Sequence, residues 1–352
     1  MKKFKWILVA LLPVQWGLLQ LLKSHPLLVE TQYSQKLYPI FFKLQAFFFS
    51  KLPFSFGDLA YGAAIIGLIF SCIKWIQSRA KRKVLLLNFF ATISLVFLLF
   101  QLHWGLNYYR LSLQEKLNYP TTYSEKELTE TLHYLITSTN NLQKQLAPND
   151  STAVLIPYTK EKLSAMIEGD FNFELADFKV TPYLKNSMWS TLLSYMGFAG
   201  YLNPLTLESQ VNSKIPKLNY CTTAAHEMAH QLGIASETEA NFIAYQTTIT
   251  HPDPFIQFSG YSFALRYCYA ELLKANPEAA KEQIIKLNKG VLKNFQELSE
   301  FWRKFQNPLE PYFKKGYDTY LKANGQKNGI LSYNAMVSMV IAYTLEMELA
   351  SD

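Results

Sequence analysis

Three stretches of the chain are apolar almost without interruption, at about residues 4–22, 59–76 and 84–102. About twenty apolar residues make a helix long enough to cross a bilayer, so the pattern predicts three membrane spans. After about residue 104 the periodicity changes. Over 124–146 the positions Leu128, Leu132, Leu135, Leu142 and Leu146 recur on one helical face, and Ser124 with Glu127 has the spacing of a capping box. Further helical patterns fall at 159–167, 190–196, 241–249, 259–273, 277–298 and 301–305, whereas 171–183 and 205–212 read as extended chain. Residues 333–348 form a last apolar helix. It is short and carries Asn334 and Ser338, so it reads as buried core, not a fourth span. The predicted fold is mainly α: a three-helix membrane anchor over 1–104, then a mostly helical domain over 105–352 with a small β element.

No small-residue cleavage site follows the first apolar run, so it reads as an uncleaved anchor and not a signal peptide. Between the first two spans, residues 37–52 include FFKLQAFFFSKL, which suits a helix lying in the membrane interface or packed over neighbouring spans. Trp104, Tyr108 and Tyr109, followed by Arg110, have the composition of an aromatic belt where the chain leaves the lipid.

Charge sharpens this picture. Residues 1–104 hold twelve Lys and Arg against only Glu30 and Asp58, whereas the remainder holds 22 basic against 25 acidic residues. The overall +7 is therefore a topology signal and not a nucleic-acid footprint. Basic residues near span ends stay cytoplasmic. Lys2, Lys3 and Lys5 and the Arg79–Lys83 cluster are separated by two spans, which puts both groups on one side. The third span then leads out, placing everything after about His103 on the far side of the membrane, which in a double-membraned bacterium is the periplasm. Cys72, Cys221 and Cys268 have no metal-knuckle spacing and read as unpaired thiols, though a Cys221–Cys268 disulfide is conceivable there. His133, on the 124–146 helix, reads as a satisfied or exposed helix residue and not a ligand.

The chemistry lies in His226-Glu227-Met228-Ala229-His230. Residues four apart on a helix share a face, so both imidazoles can address one ion, and neutral imidazole suits Zn2+. Glu227 can then hold its carboxylate beside the remaining coordination position. This is the layout of a zinc hydrolase. Gly233 ends the helix and Ser236 opens another, which begins with acids and supplies two candidates for a third ligand. Glu237 and Asn241 are spaced i, i+4, so Glu237 could bind the metal while Asn241 steadies a histidine. Glu239 lies three residues after Ser236 and reads equally well as half of a capping box.

Several stretches together resemble a bacterial family of uncharacterised membrane-anchored HExxH proteins similar to zincin, gluzincin-like zinc metallopeptidases: WGLNYYR at 104–110, GYLNP at 200–204, AAHEMAHQLGIASETEANF at 224–242, SGYSFALRY at 259–267 and SYNAMVSMVIAY at 332–343. The ExxxN element at 237–241 implies Glu237 as third ligand by position. Only six residues separate His230 from Glu237, a shorter link than many gluzincins use, which keeps Glu239 in play.

The resulting expectation is a membrane-anchored zinc metallopeptidase. Zinc lowers the pKa of a bound water by roughly eight units in the best cases; Glu227 takes its proton and returns it to the leaving amine. Tyr261 and Tyr267 are candidate oxyanion donors, and residues 201–211 could offer a strand edge to a peptide or protein substrate or form an ordinary structural hairpin. The rival expectation is a non-catalytic metal-binding or scaffold protein at the membrane. A transporter is disfavoured, because the spans lack paired charges and inverted repeats.

Overall fold

The computed structural model describes residues 2–77, 79–173, 181–326 and 333–351. The chain forms two compact units, one of residues 1–111 with 202–208, the other of 112–201 with 209–352. The first unit thus runs past the expected boundary at 104 and takes in a segment from mid-chain.

The first unit contains α1 (Lys2–Lys23), α2 (Pro26–Leu28), α3 (Tyr38–Phe49), α4 (Phe56–Gln77) and α5 (Arg82–His103). Helices α1, α4 and α5 are each 22 residues long and apolar enough to cross a membrane; at 1.5 Å per residue that is about 33 Å, the thickness of a hydrocarbon core. Their flanks leave Ile65, Ile66, Ile69 and Phe70 on α4 exposed, as a lipid-facing surface should be. Polar side chains tie α1 to α5: Lys5 Nζ donates to Asn88 Oδ1 at 2.6 Å, and Gln15 Nε2 to Ser94 Oγ at 3.1 Å.

The segment between the first two spans is mostly ordered helix, with a π-helical stretch at Val29–Leu37 leading into α3. Helix α3 buries Tyr38 and Phe42 and exposes Ile40, Leu44, Phe47 and Phe48, so it has both a packed and an open face. This arrangement overturns the aromatic-belt expectation. Trp104 and Tyr109 are buried, Trp104 against the rings of Tyr38 and Tyr108, because the α2–α3 segment folds back over them. Composition suggests a belt; only the fold-back decides burial. Both acids of the basic anchor are buried as well. Glu30 takes two hydrogen bonds from Arg110, Nε at 2.8 Å and Nη2 at 2.9 Å. The mid-chain segment contributes Glu208, which accepts from the Phe56 and Gly57 N–H groups at 3.1 and 2.6 Å. A carboxylate there satisfies free amides at the positive end of α4.

The second unit contains α6 (Leu113–Lys116), α7 (Glu125–Leu146), α8 (Lys160–Gly169), β1 (Leu184–Asn186), α9 (Ser190–Met196), β2 (Gly200–Leu202), β3 (Ser209–Val211), α10 (Lys217–Gln231), α11 (Glu237–Ile249), α12 (Pro254–Ala275), α13 (Pro277–Ile284), α14 (Lys289–Phe305), α15 (Glu310–Ala323) and α16 (Tyr333–Ser351). The unit is mainly helical. Its sheet order is β1-β3-β2, with β1 parallel to β3 and Lys185 opposite Gln210.

Helix α7 has the expected capping box, with Leu128, Leu132, Leu135 and Leu142 buried and His133 exposed. Helix α16 buries Met336, Val337, Met339 and Val340, as a core helix should. Three expectations need correction. Among the described residues of 171–183 there is no strand; 174–180 lie outside the description, and pairing begins at Leu184, where β3 supplies the partner. Of 201–211, only β2 lies at an edge, because β3 is paired on both sides. Helix α12 starts at Pro254, not 259, since the Asp253 carboxylate caps Phe255 N and Ile256 N and Pro254 fits the first turn. Helix α15 was not anticipated at all.

Candidate metal centre

Helix α10 runs through the core of the second unit. Tyr220, Cys221, Ala224, Ala225, Met228 and Ala229 have no solvent exposure, and the small side chains among them let α11 and α12 close around the helix. Its remaining face carries the polar residues. His226 and His230 stand one turn apart with ring centroids 4.6 Å apart. After Gln231 the chain reverses at Gly233, whose φ of 82° is left-handed. The reversal returns the Ile234 carbonyl to His230, whose Nδ1 lies 2.6 Å away. A carbonyl can only accept, so Nδ1 carries the hydrogen and Nε2 keeps its lone pair.

Ser236 then caps α11 through Glu239 N, which sets Glu237 on the first turn. Glu237 Oε2 lies 3.3 Å from His226 Nε2, and its Oε1 lies 3.6 Å from His230 Nε2. One donor atom from each of His226, His230 and Glu237 falls within 4.8 Å of the others. Two donors each about 2.0–2.1 Å from a tetrahedral ion lie about 3.3 Å apart, close to the separations seen. Two imidazoles and a carboxylate are a zinc-type donor set. Glu239 does not join them: its Oε1 accepts from Leu113 N at 2.7 Å, binding α11 to the start of α6. Asn241 lies beside His226 and donates to the Tyr267 hydroxyl at 3.4 Å.

Electrostatics sort the roles. Burial would lift Glu237, but the two imidazoles and Tyr317 outweigh it and leave its pKa lowered to about 2. Burial lowers His230 to about 4. Burial also pulls on His226, but Glu237 and Glu227 win and hold it raised. Glu227 is pushed up to about 8, chiefly by burial. Its Oε2 is buried with no hydrogen-bond partner among the described residues, an orphaned acceptor beside three convergent donors.

Two residues at the site are not among those that spacing singles out. Tyr317, on α15, donates to Glu237 Oε1 at 2.6 Å and packs edge-on against Phe198. Gly200, on β2, lies so close to Glu227 that an added Cβ would stand 2.6 Å from Oε1. The proposed oxyanion donors lie elsewhere. Tyr261 bonds the Tyr134 hydroxyl at 3.2 Å in an aromatic cluster with Tyr245, and the Tyr267 hydroxyl accepts from Asn241 at 3.4 Å. Cys221 and Cys268 are unpaired and buried, and Cys72 is exposed on α4.

The fold and site define a mainly helical protein with three helices long and apolar enough to cross a membrane and a half-buried His/Glu cluster. A family model described as "Protein of unknown function (DUF3810)" matches residues 33–341, and the chain belongs to that family. No curated protein and no solved structure matches it.

Proposed function

We propose that the chain is a membrane-anchored, zinc-dependent peptidase of zincin-like, gluzincin type, acting on peptide or protein substrates. The observation that carries this reading is the convergence of His226, His230 and Glu237 beside Glu227, whose buried Oε2 has no hydrogen-bond partner among the described residues. Zinc held by those three donors would supply a Lewis acid that acidifies a water and polarises a scissile carbonyl. The chain's own groups do the rest. Ile234 fixes the His230 ring so that Nε2 faces the site, and Tyr317 holds Glu237. Glu227 is ionised once positive charge at the donor set offsets the burial that lifts it. Its Oε2 then takes a proton from the attacking water and delivers it to the leaving amine.

The positive-inside pattern supports a second unit on the periplasmic side of a bacterial inner membrane. The test is cleavage of a fluorogenic peptide library by the zinc-loaded full-length protein and by Glu227→Gln. The account expects turnover by the first and a loss of about 10²–10⁴-fold in the second. Equal rates, or no turnover by either, would favour a metal-binding scaffold.

A further inference from the structure

Helix α15, which carries Tyr317, and helix α9, which leads toward Gly200, also turn apolar faces to solvent. On and just before α9, Met188, Trp189, Leu192 and Tyr195 follow helical spacing and are all exposed. At the start of α15, Leu309, Tyr312 and Phe313 are 61%, 73% and 38% exposed. The two faces adjoin. Asn307 Nδ2 donates to the Tyr195 carbonyl at 2.7 Å, Tyr195 packs edge-on against Phe305 at 5.1 Å, and Gly197 sits against Glu310 and Lys314. Helix α15 turns Tyr317 and Leu321 inward, yet its first turn leaves Tyr312 and Phe313 outside beside the exposed Lys314 and Lys315. A contiguous patch of this kind on a polar domain marks an interaction surface.

We propose that this face lies in the headgroup region of the bilayer, as a second, interfacial attachment of the second unit. Charge favours lipid as the occupant. Residues 303–322 carry Arg303, Lys304, Lys314, Lys315 and Lys322 against Glu310 and Asp318, a local positive excess in a domain that is otherwise slightly acidic. Trp189, Tyr195 and Tyr312 pair an apolar ring with a polar tip, as interfacial residues do. The three spans of the same chain keep a bilayer surface at high effective concentration. Helix α9 leads through Gly197 to Gly200 beside Glu227, and α15 carries Tyr317, so interfacial docking would restrain both sides of the site. The proposal goes beyond the peptidase reading and stands whether or not a metal binds.

The test is nitroxide labelling of the full-length protein in vesicles of phosphatidylcholine and phosphatidylglycerol. Labels are placed by Leu192→Cys and Tyr312→Cys on a Cys72→Ser background, with Lys126→Cys as a solvent control, since Lys126 is 82% exposed on α7. The proposal expects collisions at both sites to favour dissolved oxygen over a soluble nickel chelate, severalfold more than at residue 126. Collision ratios equal to the control would overturn it. Shielding from both reagents with dipolar broadening between labels would also overturn it, in favour of a second copy on this face. Thermal melts matching wild type establish that each labelled protein is folded, and two independent sites keep the test decisive if one label perturbs its helix.

Discussion

The Tyr317 hydroxyl donates to Glu237 Oε1 at 2.6 Å, across 80 residues of chain. A carboxylate that binds metal through one oxygen is oriented by whatever holds the other, and losing such a partner typically costs 10–100-fold in metal affinity. Tyr317→Phe keeps the ring against Phe198 and removes only the donor. Competition with a zinc chelator should therefore show zinc bound roughly 10–100-fold more weakly, with an unchanged thermal melt. Unchanged affinity would make the bond incidental.

Gly200 makes a different prediction. A Cβ there would meet Glu227 Oε1 at 2.6 Å and the Gln210 carbonyl oxygen at 2.7 Å. The second of these is backbone in the central strand and cannot swing away. Gly200→Ala should cost about 1–3 kcal/mol in stability through overpacking, lower peptide turnover by displacing Glu227, and leave zinc content intact. Wild-type melting and turnover together would show that the strand does not support the carboxylate as described.

How far these relationships could be read from the residues alone depends on their range. The i, i+4 pairing of His226 and His230 is local, so spacing reveals it. Glu237 depends on a reversal at Gly233, and the glycine signalled the turn but not which acid it would return. Spacing leaves both acids open; the fold separates them by setting the Leu113 amide on Glu239. Tyr317 arrives from a distant element with no motif, and Gly200 opens the GYLNP stretch without anything there that points to Glu227. The run of Tyr312, Phe313, Tyr317, Tyr320 and Leu321 behind Pro311 was a helix signal that could have revealed α15, though not its target. The three spans were plain because lipid demands an unbroken apolar run. Burial of Trp104 was not, since an aromatic at a span end suits a belt and a packed cluster equally.

The two buried cysteines give a pH dependence. Burial pushes the Cys221 and Cys268 thiols up to about 12 from an ordinary value near 9. Both should resist alkylation at pH 8 in the folded protein and react on unfolding, while Cys72 is open to an apolar maleimide. The sign for stability follows from linkage. Above pH 9 the unfolded thiols lose protons that the folded ones keep, so stability is full below about pH 9 and falls as pH rises toward 12. Mass mapping after alkylation, and denaturant midpoints across that range, check both statements. Rapid native labelling of Cys221 would contradict the packing around α10.

The central claim is that His226, His230 and Glu237 hold one metal ion while Glu227 serves it without binding it. Elemental analysis of the purified full-length protein, alongside His226→Ala and Glu227→Gln, tests this most directly. The account predicts stoichiometric zinc in the wild type and in Glu227→Gln, and its loss in His226→Ala. Equal zinc in all three proteins, or none in any after loading, would contradict it.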